Sequence, residues 1–273
     1  MQATVLVDNI GQAEMPGEWG LSIYIEMNGQ RLLLDTGASA LFLANAAALG
    51  LDIADVDYGV LSHAHYDHAD GMADFFQHNQ KAKFYLRRQA EANCYKIAED
   101  NAQEYKYIGI RPDILQNFAS RLQPVDGVYQ LLDNVYLLPH TTPGLAAEGQ
   151  QAKMYRQQTD GTWQPDDFAH EQSLVFNRPD GLVVFNSCSH AGVLNIIQEV
   201  SQQLNRPVHM LIGGFHLYQR SGEEVQALAA QLRQLGLQAI YTGHCTGQPA
   251  FDILRWELGG MVQQLQVGLQ IEF

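Results

Sequence analysis

Basic residues are scarce in this chain. Lysine and arginine number 16 against 30 aspartates and glutamates, for a formal net charge of −14. The one basic group is short (Lys81, Lys83, Arg87 and Arg88), so the charge footprint that a duplex nucleic acid requires is missing. Long apolar runs are missing too: none approaches the ~20 residues a membrane-crossing helix needs. The amino terminus has no basic segment followed by an apolar one. Cysteine is rare and odd in number, and Cys94, Cys188 and Cys245 are widely spaced. That argues against a disulfide scaffold and for a reducing compartment. The expectation is a cytoplasmic protein without a nucleic-acid or membrane partner, acting on a small molecule. An anionic substrate stays compatible, because bound cations would supply local positive charge.

What the chain does have is histidine in one dense stretch. Leu61-Ser62-His63-Ala64-His65-Tyr66-Asp67-His68-Ala69-Asp70-Gly71 holds three imidazoles and a carboxylate within six positions, directly after the apolar run Tyr58-Gly59-Val60-Leu61. Imidazole nitrogen and carboxylate oxygen are the ligands that zinc, manganese and iron accept in catalytic sites. At a strand end His63 and His65 point the same way, because side chains alternate with period two. Asp67 and His68 lie beyond it, where a turning chain brings them to a second ion. One loop can thus serve two divalent cations, zinc first among them, in a dinuclear hydrolytic site.

With 273 residues and 46% hydrophobic content, the chain suits one large domain spanning 1–273. Thr4–Asn9 reads as a first strand. Leu21–Glu26 and Arg31–Leu34 flank Asn28-Gly29, a hairpin signal. The second arm ends in Asp35-Thr36-Gly37, where Asp35 either orients the histidine loop by hydrogen bonds or caps a turn. Leu41–Leu49 and Met72–His78 read as helices. Residues 88–120 are polar and rich in tyrosine (Tyr95, Tyr105, Tyr107), and are expected to be an insertion of helix and loop walling the site. Gly144–Asp167, rich in Gln, Gly and Ala, is expected to be a mobile loop. Val128–Leu132, Val135–Leu138, Leu174–Phe176, Leu182–Phe185, Met210–Gly214 and Ala239–Tyr241 read as strands, Val193–Leu204 and Glu223–Leu235 as helices, and Leu265–Phe273 as a closing strand. This pattern fits an α/β fold of two mixed sheets packed face to face with helices outside.

Two further strands run into histidine-bearing loops of small residues: Asn186-Ser187-Cys188-Ser189-His190-Ala191-Gly192 and Thr242-Gly243-His244-Cys245-Thr246-Gly247. His190 and His244 are the candidates to complete the two ions. His216, in Gly213-Gly214-Phe215-His216-Leu217, is a ligand, a proton donor or a substrate anchor, with the substrate side favoured. Cys188 either bridges the ions as a thiolate or is buried as a small apolar residue. His170 and His140 are rival ligands; His78 and His209 read as ordinary surface or packing residues.

The order of these motifs resembles the metallo-β-lactamase superfamily. Within it, Glu18-Trp19-Gly20-Leu21-Ser22, Ser187-Cys188-Ser189-His190-Ala191-Gly192, Gly213-Gly214-Phe215-His216-Leu217 and Gly243-His244-Cys245-Thr246-Gly247 are similar to one branch. That branch comprises metal-dependent hydrolases related to dihydropteroate-synthase-like and ribofuranosylaminobenzene-phosphate-linked pterin enzymes. The resemblance implies an αβ/βα four-layer sandwich with two metals at one sheet edge. It implies that His63, His65 and a later histidine, His190, hold one ion, and Asp67, His68 and His244 the other. Cys188 stands where the superfamily pattern usually has a bridging Asp. The implied activity is hydrolysis of a small ester or phosphoester, with Asp67 orienting the nucleophile and His216 serving the leaving group. Group transfer to a pterin-like acceptor and a non-catalytic metal- or ligand-binding sensor are the alternatives.

Overall fold

The computed structural model describes residues 1–12, 14–98 and 100–273. Alternation along the strands sets the architecture. Leu32 and Leu34 face a central cluster with Ile23, Phe176 and Ile212, whereas Leu33 faces outward onto Phe42, Phe75 and Phe84. In the partner sheet Val183 and Phe185 point to the centre, and Leu182 and Val184 point outward onto Ile196 and Val200. Two sheets, each apolar on both faces, therefore need helices over both outer surfaces.

The first sheet has seven strands in the order Gln270–Glu272, Gln2–Val7, Ser22–Met27, Gln30–Leu34, Tyr58–Val60, Lys83–Arg87, Leu122–Val125. Its last four strands run parallel. The second also has seven: Val262–Gln264, Ala239–Thr242, Val208–Gly213, Gly181–Phe185, Gln172–Arg178, Val135–Pro139, Tyr129–Leu132. Here the first four are parallel. The Asn28-Gly29 turn pairs Met27 with Gln30, both turn residues having positive φ (49° and 78°), as a type I′ hairpin demands. Helix Val193–Leu204 buries Val193, Ile196, Ile197 and Val200 at helical spacing and stops at Asn205 in the left-handed region. Helix Gly222–Leu232 begins with a capping box between Ser221 and Glu224.

Two expectations are corrected. Residues 144–167 are not a mobile loop: they form helix Leu145–Gln151 and strands Met154–Gln157 and Trp163–Pro165. The 88–120 insertion is not only helix and loop, since it contributes strands Tyr95–Ile97 and Tyr105–Tyr107 beside helix Pro112–Asn117. These four strands make a third, antiparallel sheet across the two segments. Each has three or four residues, too few for periodicity to show, and their partners are distant in sequence. The expected tyrosines pack within this sheet: Tyr105 stacks on Trp163 at 3.8 Å, and Tyr95 meets both Trp163 and Tyr107 edge-on. The first strand spans Gln2–Val7 rather than Thr4–Asn9, and the closing strand is confined to Gln270–Glu272.

The parallel strands Gln30–Leu34, Tyr58–Val60, Gly181–Phe185, Val208–Gly213 and Ala239–Thr242 deliver the loops that bear the candidate residues. Crossing there is tight. A Cβ on Gly213 would lie 1.8 Å from the Asn186 carbonyl oxygen, and one on Gly214 2.5 Å from Cys245 Sγ, so only glycine lets these loops converge.

Candidate metal centre

The site is built outward from Asp35, which follows strand Gln30–Leu34 with a φ of 58° and is fully buried. Its Oδ1 accepts the Ser62 amide at 2.7 Å. Its Oδ2 accepts the Ser62 hydroxyl at 2.6 Å and lies 2.8 Å from His68 Nδ1. The hydroxyl proton being spent on Asp35, Ser62 Oγ accepts from His63 Nδ1 at 2.8 Å. Asp35 thus fixes tautomers: His63 and His68 carry their protons on Nδ1 and offer Nε2 lone pairs inward. His244 is held likewise, its Nδ1 3.1 Å from Asn9 Oδ1 and its amide donating to Asp8 Oδ2 at 2.9 Å.

Those lone pairs converge. His68 Nε2 lies 3.2 Å from His244 Nε2, 3.2 Å from Cys188 Sγ and 3.7 Å from Asp67 Oδ2; His244 Nε2 lies 3.5 Å from Asp67 Oδ2. Ligand atoms about 3.3 Å apart are what a tetrahedral ion with bonds of about 2.0–2.1 Å requires. The other three histidines form a second group. The His190 ring centroid is 4.9 Å from that of His63 and 4.8 Å from that of His65, which are 4.7 Å from each other. Nε2 of His63, Nε2 of His65 and both nitrogens of His190 are buried without any hydrogen-bond partner. Buried imidazole nitrogens are seldom left so, and a bound cation is one group that would satisfy them. Ligand-type atoms of His63, His68 and Cys188 also lie within 4.8 Å of one another, so the cysteine stands between the two groups.

Electrostatics agree with ligand duty. Burial, then the neighbouring imidazoles His68 and His65, holds His63 well below the usual histidine range, and burial with His216 does the same to His190. Both rings are neutral. Burial alone would raise the Asp67 carboxyl, but His68 and His244 outweigh it and keep it ionised. Without a cation His244 rises to about 9, burial being outweighed by Cys245 and Asp67. Below that pH a cation must displace its second proton. Affinity should therefore climb with pH, by up to about tenfold per unit, and level off near 9. Calorimetry in buffers of differing ionisation heat at pH 7.5 should show at least one proton released per chain on loading; none released would contradict the assignment.

The rival ligands fall away. His140 is occupied on both ring nitrogens, by Glu199 at 3.1 Å and Ser173 at 2.9 Å. His170 is occupied by the Ala64 amide and Asp166. His216, with φ 51°, lies tilted against His190 at 4.5 Å and edge-on to Tyr218 at 5.3 Å, and joins neither ligand group. Burial, then His65 and Lys96, depresses it to about 3, so it is a neutral imidazole.

A cavity of about 330 Å³ opens above the groups, walled by Trp19, Tyr66, Lys96, Met154, His216 and Tyr218. A second, of about 280 Å³, abuts it at His190 and His216 and is lined by Phe168, Val193, Phe215 and Leu228 with Arg220 at its edge. Lys96 Nζ donates to the Tyr218 hydroxyl at 3.0 Å. Sequence reasoning missed Lys96 and Tyr218, because nothing local marks two residues joined across 122 positions.

A sandwich of two mixed sheets with clustered His, Asp and Cys at one edge is the metallo-β-lactamase fold. The metallo-beta-lactamase superfamily model matches residues 19–147, and the chain has that superfamily's fold. Among its relatives is 7,8-dihydropterin-6-methyl-4-(beta-D-ribofuranosyl)-aminobenzene-5'-phosphate synthase of Methanocaldococcus jannaschii, 27% identical and covering 93% of this chain and 90% of its own. A solved metal-dependent hydrolase of the beta-lactamase superfamily is 28% identical, with a TM-score of 0.82 over 100% of this chain and 99% of that one. A metallo-beta-lactamase fold protein from Bacillus subtilis, 13% identical with a TM-score of 0.56 over 100% and 98%, shows the fold alone. Among the described residues no helix is long and apolar enough to cross a membrane.

Proposed function

We propose that the protein is a dinuclear metal-dependent hydrolase of a small anionic ester or phosphoester. The observation that carries this reading is the set of buried, unpartnered imidazole nitrogens on His63, His65 and His190 beside the Asp67, His68, His244 group. In this reading His63, His65 and His190 hold one divalent ion, zinc being the first choice, and Asp67, His68 and His244 hold the other, with Cys188 between them. Two such ions, when bound, would supply Lewis acidity and a water nucleophile of lowered pKa. Asp67, whose Oδ2 faces His68 and His244, would help hold an ion and orient a water nucleophile. His216, neutral, donates an N–H hydrogen bond to the leaving group. Lys96 and the Tyr218 hydroxyl bind an anionic substrate group at the cavity wall.

The test is a panel of phosphodiesters, phosphomonoesters and lactones, with zinc, manganese or iron. Turnover of at least one class supports the reading; tight metal binding without turnover of any supports a sensor instead. Lys96→Met should raise KM for anionic substrates about tenfold while sparing neutral esters, as loss of one charge-assisted contact predicts.

One observation favours a second reading. The relative from M. jannaschii is named a synthase, which points to group transfer to a pterin-like acceptor. Reaction in ¹⁸O-water with and without a pterin-like acceptor separates the two: hydrolysis places the label in the product, and transfer leaves it out.

A further inference from the structure

We propose that Asp166, His170 and Cys94 form a buried positioning set behind the histidine loop, which fixes His65 and so sets the affinity of the ion held by His63, His65 and His190. The proposal rests on the two-ion reading. His65, Cys94, Asp166 and His170 are all buried and bring ligand-type atoms within 4.8 Å of one another. By composition alone this nitrogen, sulfur and oxygen set is the seat of a third ion.

The hydrogen bonds decide against that. The Ala64 amide can only donate, and it meets His170 Nδ1 at 3.1 Å. Nδ1 therefore presents its lone pair, and the ring proton sits on Nε2, 3.2 Å from Asp166 Oδ2. Against the cost of burial, Cys94 and Asp166 favour the protonated ring, but a second proton on Nδ1 would face the Ala64 N–H; with that lone pair on an amide and its Nε2 proton on a carboxylate, the ring has nothing left for a cation. Asp166 is itself braced, its Oδ1 accepting the Phe168 amide at 2.9 Å and its own amide donating to the Met154 carbonyl at 2.9 Å.

The relay ends on the residue between two ligands. Ala64, fully buried, separates His63 from His65, and its amide is the handle by which the set grips the loop. The other flank is gripped by backbone: the Tyr66 amide donates to the Ile108 carbonyl at 2.9 Å, and the Ile108 amide to the Cys94 carbonyl at 2.9 Å. His65 bridges to Gly109, and the Cys94 sulfur lies within reach of both the His65 and His170 rings. Ligating histidines ordinarily have an outer partner that fixes the ring; here Cys94 and Asp166 are the groups within reach of His65.

The experiment uses the full chain and its His170→Phe, Asp166→Asn and Cys94→Ala variants. It measures zinc stoichiometry, the two zinc dissociation constants by chelator competition, and the visible absorption of cobalt-loaded protein. The wild type should bind two ions. His170→Phe should weaken one by about 10–100-fold, shift its cobalt bands, and leave the other within about threefold, the scale on which outer partners of ligands act. General destabilisation would weaken both ions alike and overturn the proposal. So would two unchanged constants in His170→Phe and Asp166→Asn; if His170→Phe does not fold, Asp166→Asn and Cys94→Ala decide. Three ions in the wild type, with one lost in Cys94→Ala, would make the cluster a metal site instead. A wild type without ions defeats the two-ion reading itself, whereas two ions and indifferent variants defeat only the positioning set.

Discussion

His65→Ala is expected to lose one of two metal ions per chain and about a thousandfold or more of turnover, since losing a direct ligand exceeds the 10–100-fold cost of losing an outer partner. The fold should survive. His65 ends a strand-to-loop connection whose backbone is fastened independently, at Ala64 by His170 and at Tyr66 by Ile108. His190→Ala should give the same stoichiometry, because both rings face the same group. His140→Ala is the control: its nitrogens are engaged by Glu199 and Ser173, so metal content should stay at the wild-type value. Metal analysis with circular dichroism reads all three. Unchanged metal content in His65→Ala would count against the assignment.

The second large effect is expected at a residue that touches no ion. Asp35→Ala strands three buried donors: the Ser62 amide, the Ser62 hydroxyl and His68 Nδ1. At about 1–3 kcal/mol for each of the three buried groups left unpaired, the loss is on the order of 3–9 kcal/mol. The positive φ of Asp35 adds to it, since alanine tolerates that region less well than aspartate. Asp35→Asn is the sharper variant. It keeps size and shape but replaces one acceptor oxygen by a donor, so His68 or Ser62 must reorient. The denaturant midpoint should fall in both variants, and the ion shared by Asp67, His68 and His244 should weaken even where the fold persists. A wild-type midpoint in Asp35→Ala would show that the carboxylate organises nothing.

Much of this was legible in the chain because it is local. The hairpin at Asn28-Gly29, the helix Val193–Leu204 and the central strands declare themselves through turn chemistry and periodicity. The histidine loop declares itself by the density of ligands within six positions. What could not be read depends on contacts across the fold. Short strands at Tyr95–Ile97 and Met154–Gln157 exist because they pair with each other over some sixty positions. His170 stands in the sequence as a rival to His190 because only coordinates show the Ala64 amide on its Nδ1. Asp35 was open between a cap and an orienting role, and the geometry assigns the second. Lys96 and Tyr218 carry no local signature and meet only once the third sheet closes over the site.

The most direct measurement is anomalous X-ray diffraction at the zinc edge from crystals of zinc-loaded protein. The account predicts two peaks, one among His63, His65 and His190, the other among Asp67, His68 and His244. A map with no peak at either place, or with zinc only at a distant surface site, would contradict it.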